Sequence, residues 1–188
     1  MPSTNVFTGS NGTLTLAGED TPEGRDATTI INFFGIQTVG RVTGIEVAVQ
    51  TDLEEFHEIG RRHPTSLHPG DIHINGTIRR AYINGALLFL LLGRGARPTV
   101  QAEPYVQPTF NMTVNLTDPA FPGNTAGLEL HGVKFEDWNY AMPEEDFVME
   151  NVSFRALRIA ATGRSAPAGG GAAVADNVDF PASDTATA

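Results

Sequence analysis

The sequence predicts a mainly β (α+β) domain, an antiparallel β-sandwich or partial barrel with one buried helix at its edge. Three observations carry this. Runs around 41–51, 71–80, 110–117, 128–135 and 147–160 alternate apolar with polar residues at the period of half-buried strands. Ala86 to Leu92 contains no polar residue, is rich in leucine and has no β-branched side chain, which favours helix over strand. Turn formers punctuate the chain, most densely at Asp118–Asn124 (DPAFPGN). An antiparallel sheet can leave one face wet while a helix packs across the other.

Residues 1–27 are rich in Gly, Thr, Asn and acid, with only Thr13–Ala17 (TLTLA) offering a brief strand pattern, so they read as a flexible N-terminal arm that orders only against a neighbour. Thr28–Gly35 (TTIINFFG) opens the folded domain, expected to span 28–162. Ile30, Ile31, Phe33 and Phe34 are too apolar to leave in water, and the stretch reads as a core strand, with an oligomer contact as the alternative. Arg41–Thr51 (RVTGIEVAVQT) is a strand with Ile45, Val47 and Val49 on one side and Glu46, Ala48 and Gln50 on the other. Asp52–Glu58 (DLEEFHE) reads as an acidic turn or short helix, and Arg61–Pro69 (RRHPTSLHP) as a loop.

The centre of the chain is Gly70–Gly95. Ile72, Ile74 and Ile78 alternate with His73, Asn75, Thr77 and Arg79, and Gly76 interrupts the apolar row where another backbone comes close or a bulge forms. The helix follows. Ile83, Leu87, Leu90 and Leu91 are its core face, and the remaining apolar residues require enclosure nearly all round. Burial contributes roughly 1.5–3 kcal/mol for each large side chain. Gly93 fits a left-handed helix stop. The run is far short of the ~20 apolar residues that span a bilayer.

Thr99–Tyr105 alternates weakly, and Phe110, Met112, Val114 and Leu116 form the cleanest strand pattern. Leu128, Leu130, Val133 and Phe135 slip by one residue at Gly132, the mark of a bulge. Glu136–Asp146 reads as a connection carrying Trp138 and Tyr140. Phe147–Ala160 is the last strand, its parity changing near Ala156. Residues 163–188 are Gly, Ala, Ser, Pro and Asp with little apolar bulk, a disordered or loosely docked tail.

The 188-residue chain carries a formal charge of −10, which argues against a general nucleic-acid binder, because such affinity comes chiefly from Lys and Arg neutralising phosphates. There is no cysteine, so disulfides and thiolate metal sites are excluded. The start lacks a secretory pattern, and the expectation is synthesis in the cytoplasm without a membrane partner. His57, His63, His68, His73 and His131 show no metal-ligand spacing, the acids Glu54, Glu55 and Glu58 read as a solvated face, and no nucleophile or phosphate-cradle motif is present. The expectation is a protein without cofactor and not an enzyme. Arg61, Arg62, Arg79 and Arg80 gather near the centre of an otherwise acidic chain. They either pair within the chain or meet the acidic turn, with Glu54 and Glu55, of a neighbouring copy.

The succession GRVTGIEVAVQT, acidic turn, GRRHPTSLHPGD, INGTIRRA and YINGALLFLLLG, within Val39–Ile159, resembles the tail tube proteins of tailed phages and archaeal tailed viruses. The resemblance implies a virion structural subunit that assembles in the host cytoplasm into stacked hexameric rings, a continuous inner β-barrel, and genome DNA passing through the bore. Its partners would be itself, a tape-measure protein and other tail proteins. Exposed strand edges, hazardous in a monomer, then become the assembly interface. On this reading Glu46 and Gln50 are candidates for the lumen. Phe33, Phe34, Glu54, Glu55, Arg61, Arg62, Arg79 and Arg80 are candidates for contacts between subunits. Two other classes fit the pattern. A capsid decoration or other virion β-protein would share the fold, and a carbohydrate-binding or hydrolytic β-sandwich would rest on Trp138 and Tyr140.

Overall fold

The computed structural model describes residues 7–97, 106–118, 124–165 and 174–175. Their regular elements are β1 (Gly12–Gly18), α1 (Pro22–Phe34), β2 (Val42–Phe56), β3 (Ser66–Ala81), α2 (Ala86–Leu92), β4 (Phe110–Thr117), β5 (Thr125–Ala141), β6 (Met149–Ala156), β7 (Arg158–Ser165) and β8 (Val174–Ala175). All strand pairs are antiparallel, in the order β1-β4-β5-β6-β3-β2, with β7 on β5 and β8 on β7. The sheet curls into a half-barrel, as the mainly β reading requires.

Strand β5 belongs to both halves of this sheet. Its first part, Thr125–His131, lies between β4 and β7, and Lys134–Ala141 pairs with β6. The handover is at Gly132, whose φ of 63° lies in the left-handed region and where the ladder to β4 slips between Phe110 and Met112. A side chain there would also strike Leu157, with a Cβ only 2.6 Å from its Cδ1. The predicted bulge is therefore the hinge of the half-barrel. Leu14, Leu16, Phe110, Met112 and Leu130 enter the core from one half, and Ile74, Ile78, Val152 and Phe154 from the other. Within the second half Gly76 has no room for a side chain between its neighbours, since a Cβ there would lie 2.2 Å from the Glu46 carbonyl on β2 and 2.5 Å from the Phe154 ring on β6.

Helix α2 occupies the predicted place, with Ala86, Leu87 and Leu90 fully buried and Leu91 partly so. Ile83 does not belong to this face. It precedes the helix and is exposed, because the turn at Asn84–Gly85 intervenes. Gly93 has φ 56° but ψ −130°, so it is not the left-handed stop; Pro108 and Val106 press against it and leave no room for a side chain.

Several stretches differ from their sequence reading. Leu14 and Leu16 are buried, and β1 is held by β4 on one edge and by Gln37 and Val39 on the other, so residues 12–27 order within their own chain instead of forming a loose arm. Thr28–Phe34 is the end of α1, not a strand. The helix is started by Thr21, whose side chain accepts from the Gly24 N–H at 3.0 Å, by Pro22 and by Glu23. It is stopped by Gly35 in the left-handed conformation. Ala27 and Ile31, four apart, face the core. The helix expected at 52–58 does not form, and the loop expected at 61–69 is realised only as far as Thr65: β2 runs on to Phe56 and β3 starts at Ser66, joined through 57–65 as one long hairpin. Glu136–Ala141 continues β5. The expected last strand is two, β6 and β7, and the parity change is the break at Leu157 where the chain crosses between sheet halves. The alternation at 99–105 and most of the 118–124 turn lie outside the described residues.

Candidate channel wall and assembly surfaces

The outer face of the β5–β6–β3–β2 half is a polar wall built by register. Glu46 lies opposite Thr77, Thr77 opposite Ser153 and Ser153 opposite Asp137; the adjoining row holds Gly44, Arg79, Asn151 and Asn139. Gln50 faces His73 at its upper margin. Both predicted lumen residues, Glu46 and Gln50, and Arg79 are exposed on this wall. Arg155 donates two hydrogen bonds to the Glu136 carboxylate, at 3.0 and 2.8 Å. That hydrogen bonding holds the Glu136 carboxyl below the usual carboxylate range and raises Arg155. Thr77, Ser153, Asn151 and Asn139 give the wall short hydroxyl and amide side chains between charges of both signs.

Beyond Gln50 and His73 the β2–β3 hairpin leaves the body. Its last six β2 residues extend about 20 Å at ~3.3 Å each. By alternation, the side of the hairpin continuous with buried Ile74 carries Val49, Leu53, Leu67 and Ile72, and these are 51, 59, 55 and 64% exposed. This is core-type surface without a core beneath it. Glu54, Glu55, Arg61 and Arg62 sit on the same hairpin, so the acidic and basic groups occupy one tip, where Arg61 already reaches Glu58 at 3.2 Å. His57 meets Glu55 at 3.1 Å and His73 meets Asp52 at 3.4 Å. No group of three metal-ligating side chains is gathered among the described residues.

A second apolar patch lies at the opposite end of β3. Tyr82 stacks on Tyr140 with ring centroids 5.7 Å apart, and Ile83 and Met142, close to them in sequence, are exposed, as is Phe147 just before β6. Trp138 and Tyr140 do not make a free aromatic platform. Trp138 donates its indole N–H to Glu150 at 2.8 Å, and Glu150 also pairs with Arg80. Arg80 is 1% exposed, in phase with Ile74 and Ile78, so it is withdrawn from the set of intersubunit contacts. Sequence reasoning missed this buried trio, although the parity of Arg80 with the core isoleucines is the signal that points to it. Phe33 is exposed at the end of α1, whereas Phe34 packs on Phe89 of α2 at 5.5 Å and works within the chain.

No family model matches the sequence, and no curated protein does. The fold has solved counterparts. An extracellular contractile injection system, in its PVC sheath-tube complex in the extended state, matches at 12% identity, covering 84% of this chain and 92% of that one, with a TM-score of 0.56. The anti-feeding prophage cap, which terminates the AFP tube, matches at 12% identity over 87% and 95%, also at 0.56. The SPP1 tail tube matches at 9% identity over 84% and 80%, at 0.53. The fold is that of tail-tube and injection-tube proteins.

Proposed function

We propose that this chain is the structural subunit of a viral tail tube, polymerising into stacked hexameric rings whose bore carries the genome during delivery. The observation that carries the reading is the β2–β3 hairpin. It projects a strip of apolar side chains that stay more than half exposed among the described residues, and a second copy is the simplest cover. The Tyr82–Tyr140 patch at the other end of β3 gives each subunit two unlike apolar ends, the arrangement that head-to-tail association needs. The polar wall bearing Glu46 and Gln50 is assigned to the bore, with the tape-measure protein, other tail proteins and transiting DNA as partners. The role is structural rather than catalytic, in the virion tail after assembly in the host cytoplasm.

Electron microscopy of the purified protein tests this. The expected result is hollow tubes or sixfold rings at high protein concentration. Monodisperse monomers under all conditions, or closed assemblies without a bore, overturn it.

A further inference from the structure

The turn that joins β2 to β3 holds its side chains outward. Thr65 returns to the Phe56 carbonyl through its N–H at 2.8 Å and its hydroxyl at 3.2 Å, and Gly60 takes a φ of 90° that a side chain would oppose. Ile59, Arg61 and Arg62 are displayed on this tip, and Ile59 is fully exposed. Arg61 reaches Glu58 at 3.2 Å, while Arg62 meets no carboxylate among the described residues. The acids further back on β2 have neighbours on the same hairpin: Glu55 lies 3.1 Å from His57, and Glu54 stands opposite His68. The connection between β5 and β6, residues 142–148, has the complementary composition. It closes beside the Tyr82–Tyr140 stack, because Ala81 and Ala141 both pair with Met149 and the Tyr82 N–H donates to the Val148 carbonyl at 2.8 Å. Met142 and Phe147 are 71 and 79% exposed. Glu144 and Glu145 are also exposed and have no basic partner among the described residues, and Asp146 accepts the Phe147 N–H at 2.7 Å. Ser66 and Ala81 are the two ends of β3, so at about 3.3 Å per residue roughly 50 Å of strand separates the tip from the connection. Within one chain they do not meet.

We propose that the hairpin tip of one copy docks on the β5–β6 connection of the next, with Ile59 against the Tyr82–Tyr140 stack and Arg61 and Arg62 on Glu144 and Glu145. Two matches select this partner surface. An exposed aliphatic side chain meets an exposed aromatic patch, and the charges flanking the two are of opposite sign. An apolar centre inside a rim of complementary charge supplies affinity and register together. Two tips brought together would set arginine against arginine, and two connections would set acids against acids. The mixed contact joins unlike surfaces, so it repeats in one direction from copy to copy. The docking rests on the chain being a self-associating subunit, and it adds the acceptor surface and the polarity of that association.

Sedimentation of full chains reads the contact. R61E/R62E makes the tip acidic and E144R/E145R makes the connection basic; all four side chains are exposed, so the circular dichroism of each variant should match the parent. Each variant alone is expected to associate roughly tenfold more weakly than the parent, because like charges then face each other. Mixed in equal amounts, the two should recover association to within about threefold of the parent, since every tip again meets a connection of opposite charge. General repulsion between acidic chains gives a different result, because E144R/E145R lowers the net negative charge and would then associate more strongly than the parent. Either variant associating as well as the parent overturns the proposal, and so does a mixture that stays dissociated. A parent that is monomeric at every concentration overturns the subunit reading as well, whereas a parent that assembles beside unaffected variants overturns this contact alone.

Discussion

Arg80, Glu150 and Trp138 show how a buried charge is tolerated at the scale of single residues. The guanidinium and the carboxylate are both enclosed, and the second carboxylate oxygen accepts the indole N–H, so neither carboxylate oxygen is left without a donor. Arg80 also reaches the Asn84 carbonyl at 3.5 Å, which ties the turn before α2 to β3. Replacing Arg80 with Met strands the carboxylate, and denaturant unfolding should show a loss of about 3–5 kcal/mol. The double substitution Arg80→Met, Glu150→Leu should recover part of that loss; a single variant as stable as the parent would show that the pair contributes nothing. On the surface, Glu136 is held below its ordinary pKa by Arg155, and Glu23 by Lys134 at 3.2 Å and Thr109 at 3.1 Å. A depressed carboxyl contributes stability that is present above the ordinary carboxylate range and is lost as pH falls through the lower folded value. Unfolding midpoints followed from pH 7 to pH 3 should therefore fall less steeply for Glu136→Gln than for the parent.

At the scale of elements, α2 and the β2–β3 hairpin are opposites. The helix is only seven residues long, too short to stand alone, and owes its existence to Leu87 and Leu90 against the sheet and to Phe89 against Phe34 of α1. The hairpin owes its extended form to backbone ladder bonds that continue past the body whatever the side chains face. A charge in either should act differently. Leu90→Asp removes a wholly buried side chain and is expected to give insoluble protein. Leu53→Asp alters a strip whose side chains are more than half exposed, so circular dichroism and melting should be unchanged while sedimentation shows association lost. Equal assembly of Leu53→Asp and parent would remove the hairpin from the interface.

For the whole molecule, the half-barrel separates an apolar interior from a polar wall, and repetition in an assembly multiplies any change to that wall. Glu46→Arg alters two units of charge per subunit, and every phosphate contact so gained adds salt-dependent affinity with a logarithmic slope near −0.9. Tubes should still form, since Glu46 is exposed, but DNA delivery from particles carrying the substitution should slow and recover partly with added salt. Unimpaired delivery, or a tube map placing Glu46 on the outer wall, would assign the bore to another face.

Local chemistry alone determined the strand parities of Ile45 and Val47, of Ile74 and Ile78 and of Phe110 and Met112, together with the α2 helix and the Gly132 bulge. In each, side-chain periodicity or the stereochemistry of one glycine leaves a single solution. Tertiary structure decided the rest. Thr28–Phe34 has β-branched and aromatic residues that suit a strand, and became helix because Ala27 and Ile31 found the interior after a cap at Thr21. Residues 51–56, 66–72 and, apart from partly buried Trp138, 136–141 are largely exposed in the subunit and carry no clean alternation, yet they are strands, since ladder hydrogen bonds do not depend on side-chain type. Leu14 and Leu16 looked too few to anchor an arm until β4, distant in sequence, supplied the surface against which they are buried. Periodicity reports which side chains need an apolar partner, but only the packed chain decides where that partner comes from.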